Sequence, residues 1–85
     1  MDAPLNILLI EDNPGDAFLI KFYLEESMFK DANLIHAEFL KTALDLISKN
    51  NFNVILLDLN LPESRGIETL KQVLDAVEDS VVIVH

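Results

Sequence analysis

The sequence has no cysteine and no tryptophan, only two glycines and three prolines, and six basic side chains against fifteen acidic ones. Without cysteine there is no disulfide framework and no thiolate zinc site. With 51% of residues apolar, the chain is too hydrophobic to be disordered despite a formal charge of −9. The shortage of lysine and arginine argues against direct nucleic acid binding, which needs cations to neutralise phosphates, and against an anionic membrane surface. The longest apolar runs, residues 7–10 and 81–84, are far too short to span a bilayer. The opening Met1-Asp2-Ala3-Pro4 lacks the basic region and apolar stretch of a secretory signal. The 85 residues leave room for one small domain, so the expectation is one acidic, soluble, cytoplasmic domain over residues 1–85.

Two kinds of segment alternate along the chain. Residues 5–10, 54–57 and 81–84 are short, nearly continuous runs of Ile, Val and Leu, as in parallel strands covered on both faces. Residues 34–39 form a weaker strand interrupted by His36 and Glu38, which suits an edge. Ala17, Ile20, Leu24 and Met28 stripe a first helix, with Asn13 placed to cap it and Pro14 at its first position. Leu40, Ala43, Leu44 and Ile47 stripe a second helix that Asn50 and Asn51 end, and Ile67, Leu70, Leu74 and Val77 stripe a third. The order β-α-β-α-β-α-β predicts consecutive right-handed βαβ units in an open α/β sheet. Phe18, Leu19 and Phe22 lie off the main stripe of the first helix, either as solitary surface aromatics or as the seat of a neighbouring helix.

Ligands of open α/β sheets bind at the carboxyl ends of the strands. Here the first strand ends in Glu11-Asp12, the third in Asp58 and the last in His85. Polar residues commonly follow strands, so one such acid means little. Three carboxylates at one sheet edge repel one another, which raises a pKa or calls for a cation. All-oxygen donors suit Mg²⁺, and an aspartate there is also a candidate nucleophile.

The run Ile7-Leu8-Leu9-Ile10-Glu11-Asp12-Asn13-Pro14 resembles the opening of receiver domains of two-component response regulators. Val54-Ile55-Leu56-Leu57-Asp58-Leu59-Asn60-Leu61-Pro62, followed by Gly66, resembles the phosphoacceptor strand and loop of the same family. The resemblance covers the whole chain and implies a flavodoxin-like, doubly wound parallel sheet with strand order 2-1-3-4. It implies that Asp58 accepts a phosphoryl group from a sensor histidine kinase or a histidine phosphotransfer protein. It further implies that Asp12, Asp58 and the backbone carbonyl of Asn60 bind Mg²⁺, with Glu11 acting through a metal-bound water, and that Gly66 lets the loop fold close to the site. Such a domain is not an enzyme beyond its own phosphorylation and dephosphorylation.

In this family a Ser or Thr follows the fourth strand, and a Lys follows a later one. The sequence ends before both, so it is expected to be a partial receiver with an uncovered fourth strand that self-associates edge to edge. Two alternatives stand beside this reading. A phosphatase or phosphotransferase of the haloacid-dehalogenase type also places a nucleophilic Asp after a strand, although its second acid would be at Asn60 and its motif on the first strand. A pseudo-receiver would signal without phosphorylation. Among the other residues, His36 is expected to be structural, His85 and Arg65 to carry no catalytic role, and the helix charges, including Lys41 and Asp45 at i,i+4, to form a solvated face.

Overall fold

The computed structural model describes residues 4–85, so the residues 1–3 that open the sequence lie outside the described residues. Along the chain run β1 (Asn6–Ile10), α1 (Pro14–Glu25), β2 (Asn33–Ala37), α2 (Leu40–Lys49), β3 (Val54–Leu57), α3 (Gly66–Ala76) and β4 (Val81–Val84). All strand pairs are parallel and the sheet order is β2-β1-β3-β4. The α/β class is therefore as the element pattern predicts, and the 2-1-3-4 order is as the family resemblance implies.

The inner strands explain their own composition. β1 and β3 have a strand on each side and helices above and below, and Leu8, Leu9, Ile10, Ile55 and Leu57 are fully buried. Strand side chains alternate between faces. Leu8, Ile10, Ile55 and Leu57 join Leu40, Ala43 and Ile47 of α2 and Val73 of α3 in one core, closed by Phe52 and Leu61. Ile7 and Leu9 point the opposite way, toward the face that right-handed crossovers assign to α1, where Ala17 is buried. Full burial of each such aliphatic side chain contributes about 1.5–3 kcal/mol.

Helix ends follow local hydrogen bonding. Asn13 caps α1 by accepting from the Asp16 N–H at 3.0 Å, and Pro14 sits at the first helical position, both as expected. Gly15 makes room for that cap, since a Cβ there would lie 3.2 Å from Asn13 Oδ1. α2 has no side-chain cap of its own. Glu63, in the loop after β3, takes that role by accepting the Leu40 N–H at 2.7 Å.

Several expectations need correction. Met28 does not continue the α1 stripe: the helix ends at Glu25 and Met28 is 87% exposed. The Ser27 hydroxyl donates to Leu24 O and accepts from the Phe29 N–H, a local network that competes with further helix. The second strand stops at Ala37, and Phe39 serves as the residue before α2. Only half of the α3 stripe packs as expected: Leu70 and Val77 lie against the core, whereas Ile67 and Leu74 are exposed and Thr69 and Val73 are buried instead. The buried face of α3 runs through a threonine, so a stripe read from apolar residues alone is rotated to one side. The charges of α2 do lie on a solvated face as expected, where Asp45 pairs with Lys49 at 3.2 Å. This pair is solvent-exposed and adds little stability. Gly66 adopts no positive φ and a Cβ on it would meet nothing within 4 Å, so it only opens α3 and does not enable a close approach.

Thr69 Oγ1 is buried with no hydrogen-bond partner. A buried hydroxyl left unpaired costs about 1–3 kcal/mol, and an isosteric apolar replacement removes that cost. Thr69→Val should therefore raise the unfolding free energy by about 1 kcal/mol, measured as a higher urea midpoint at unchanged slope.

Candidate functional site

Parallel pairing sets the site. β1 and β3 run side by side in register, with Ile10 opposite Leu57, so the residues that follow them emerge together at one edge. The Asp58 N–H donates to Ile10 O at 3.0 Å and the Glu11 N–H to Ala37 O at 3.1 Å, which fixes both residues to neighbouring strands. Carboxylate oxygens of Glu11, Asp12 and Asp58 all lie within 4.8 Å of one another. They line a depression of about 380 Å³ together with Asp16, Asn60 and His85. The structure thus brings together all four residues singled out from the sequence: Glu11, Asp12, Asp58 and Asn60.

Each carboxylate has a distinct setting. Asp58 is 9% exposed, and its Oδ1 accepts the Asn60 N–H at 2.9 Å, which orients the carboxylate. Glu11 is 2% exposed, with Oε2 accepting the Asn13 N–H at 3.3 Å. Burial, hydrogen bonding to Asp58 and the negative charges of Asp58 and Asp16 outweigh that N–H and push the Glu11 carboxyl up to about 7. A cation placed among these oxygens relieves both the repulsion and the desolvation, so the donor set fits Mg²⁺.

Two histidines reach this edge in ways the sequence did not reveal. His36 Nε2 lies 2.7 Å from Glu11 O, fastening the edge strand to the start of the β1 loop, which is the structural role expected of it. His85 was placed at the right edge, but its contact was not foreseen: Nδ1 stands 3.7 Å from Glu11 Oε1. The signal for both is strand register, since His36 pairs with Leu9 and His85 follows the Leu57–Val84 pair. Arg65 is an exposed residue before α3 and does not line the depression.

A larger groove of about 630 Å³ lies at the opposite end of the sheet, between the C-terminal ends of α2 and α3. Its Ser48, Asn50, Asn53 and Ser80 side chains are already bonded to the chain's own backbone, so it presents less free chemistry than the acidic edge. Among the described residues no helix is long and apolar enough to cross a membrane.

The family model of the response regulator receiver domain matches residues 7–85. The chain belongs to the receiver domain family of response regulators. It is 34% identical over 73 residues to the autoinducer 2 sensor kinase/phosphatase LuxQ of Vibrio parahaemolyticus, covering 85% of this chain and 8% of that protein. It is 34% identical over 67 residues to the cell cycle response regulator CtrA of Brucella ovis, covering 79% of this chain and 28% of that one. The receiver thus spans only a small part of these curated relatives. Among solved structures, the MaeR response regulator bound to beryllium trifluoride matches with a TM-score of 0.82 at 28% identity, over 95% of this chain and 66% of that one. The complex of histidine kinase ThkA with response regulator protein TrrA matches with a TM-score of 0.78 at 25% identity, over 94% of this chain and 66% of that one.

The Glu11 setting generates a pH prediction. Its folded-state pKa of about 7 lies above the ordinary 4.5, so the folded receiver holds this proton more tightly than the unfolded chain. The stability it contributes is complete below about pH 4.5 and is lost as pH rises through about 7. Glu11→Gln should therefore gain stability over the parent across this window, by up to about 3 kcal/mol. Urea unfolding of both chains in chelator, at several pH values, measures the difference.

Proposed function

We propose that this receiver is a phosphoacceptor module of a two-component phosphorelay, with Asp58 as the accepting residue. The observation that carries the reading is the Asp58 carboxylate, held by the Asn60 N–H and set within 4.8 Å of the Glu11 and Asp12 oxygens. An Asp58 oxygen attacks the phosphorus of a phosphohistidine, forming the P–O bond of an acyl phosphate. The P–N bond breaks and its electron pair leaves on the imidazole nitrogen of the donor. Asp12, Asp58 and the Asn60 backbone carbonyl would hold Mg²⁺ directly, with Glu11 acting through a metal-bound water. When bound, Mg²⁺ offsets the negative charge between the nucleophile and the incoming phosphoryl group and favours in-line transfer.

The partner is a sensor histidine kinase or a histidine phosphotransfer protein. The likeness to a response regulator solved with a histidine kinase, and to a sensor kinase/phosphatase, supports this choice. The chain spans 66% of the MaeR chain, which supports reading residues 1–85 as part of a receiver domain. The reading places it in the cytoplasm, where such kinases present their phosphohistidine. The product is one stable adduct per chain, without turnover of free phosphate esters.

Acetyl phosphate with Mg²⁺ should add one phosphoryl group to the chain, seen by mass spectrometry and located at Asp58. Chelator should abolish the adduct, and so should Asp58→Asn. Turnover of a generic phosphate ester would favour a phosphatase instead. A folded, Mg²⁺-binding chain that takes up no phosphoryl group would favour a pseudo-receiver.

The 85-residue chain is also proposed to self-associate through β4. Val81, Ile83 and Val84 are 58%, 48% and 43% exposed, and β3 is the one strand paired with β4 among the described residues. An uncharged edge with free N–H and C=O groups recruits another strand. Covering ~500 Å² of apolar surface is worth about 12 kcal/mol against association costs of about 4–15 kcal/mol. Light scattering across a concentration series should show the mass doubling, and a monomer at hundreds of micromolar would refute it.

A further inference from the structure

We propose that His36 is a positioning residue for the metal site: its imidazole fixes the peptide between Glu11 and Asp12 and so sets where the Asp12 carboxylate stands relative to Asp58. The inference rests on the phosphoacceptor reading above and deepens it.

The backbone ladder between β1 and β2 explains why a side chain is needed there. In a parallel pair, alternate residues of one strand bond to the neighbouring strand through both N–H and C=O. The series opens with Leu5 O accepting the Asn33 N–H at 2.8 Å and reaches Glu11, whose N–H donates to Ala37 O at 3.1 Å. Glu11 O is the next acceptor in the series, but β2 stops at Ala37. Glu11 is only 2% exposed, so its carbonyl needs a partner from the protein. His36 provides it. The residue pairs with Leu9 in register and reaches forward past the end of the ladder, placing Nε2 2.7 Å from Glu11 O. A carbonyl only accepts, so Nε2 carries the proton, in the neutral ring and the cation alike.

Both peptide units that flank Glu11 are thereby tied to β2, which fixes its backbone angles. Asp12 follows directly. Beyond it, the Asn13 N–H donates to Glu11 Oε2 and the Asn13 side chain caps α1. The Asp12 carboxylate is therefore placed through the backbone on either side of it. One of its oxygens lies within 4.8 Å of oxygens from Glu11 and Asp58, although like charges push the three apart. Without the His36 bond the Glu11–Asp12 peptide is free to rotate, and repulsion carries Asp12 away from Asp58. Mg²⁺ would then have to draw the two together again, and its affinity falls by that cost. A histidine that only fastened the sheet would contribute stability and leave the affinity of the folded chain unchanged.

Mg²⁺ alone is the probe, titrated by calorimetry into the full chain, with urea unfolding run beside it. His36→Leu should weaken Mg²⁺ about tenfold, as loss of a group behind a metal ligand commonly does. His36→Asn, too short to reach Glu11 O, should lose as much while keeping a polar side chain at this half-buried position. His36→Gln, which retains an N–H at comparable reach, should stay within about threefold of the parent. Leu34→Ala loosens the same strand near its other end and should lower the urea midpoint with Mg²⁺ affinity unchanged. Circular dichroism confirms that the variants fold. Mg²⁺ affinity unchanged in His36→Leu and His36→Asn, an equal loss in Leu34→Ala, or no rescue in His36→Gln would overturn the positioning role while leaving the carboxylate site intact. A parent chain that binds no Mg²⁺, or binds it equally after Asp58→Asn, would overturn the site reading and the His36 role with it.

Discussion

Electrostatic repulsion among Glu11, Asp12 and Asp58 is the constraint on which this receiver turns. Carboxylates within 4.8 Å of one another, two of them almost excluded from water, store unfavourable energy that only protonation or a cation relieves. The apolar interior exists to hold them there. β1 and β3 are the most deeply buried segments of the chain, and each delivers its acid where the strand meets solvent. A sheet packed on both faces resists shifting, so the acids cannot move apart to lower their repulsion. Core stability is thereby coupled to the charge state of the edge.

Hydrogen bonds around the edge distribute this strain. The N–H groups of Asn13 and Asn60 point at Glu11 and Asp58, partly compensating buried negative charge with backbone dipoles. Asn13 also caps α1, and Gly15 leaves it the space to do so. Glu63 ties the loop beyond Asp58 to the start of α2, so the loop on one side of the site is anchored to a helix packed in the core. His36 joins the edge strand to the Glu11 backbone. The site is therefore supported from three strands and two helix starts, although only β1 and β3 supply its carboxylates.

The outer surface tells a different story from the interior. Phe18, Leu19, Phe22 and Tyr23 of α1 are all substantially exposed, and the Phe22 and Tyr23 rings meet edge to face with centroids 6.0 Å apart. Ile67 and Leu74 on α3 and the residues of β4 add further apolar surface. Scattered apolar residues are normal on a protein surface. Here many of them gather on α1, α3 and β4, while the depression itself is lined by polar and charged residues.

Strand and helix positions and the acidic edge were legible in the sequence because each rests on a local pattern, whereas the strand order came from the resemblance to receiver domains. Continuous Ile, Val and Leu runs mark strands buried on both faces, and Asn13-Pro14 marks a helix start by its own chemistry. The acids were legible because parallel strands joined by crossover helices must all end at the same edge. Tertiary structure alone decided the rest. The rotation of α3 depended on which side met the sheet, and there Thr69 was buried despite its hydroxyl. The capping of α2 by Glu63 spans 23 positions and has no local signature. The raised pKa of Glu11 and the approach of His85 arise from side chains far apart in sequence meeting at one edge. Local chemistry writes the elements into the chain, but distances between side chains on different strands exist only once register and packing have been set.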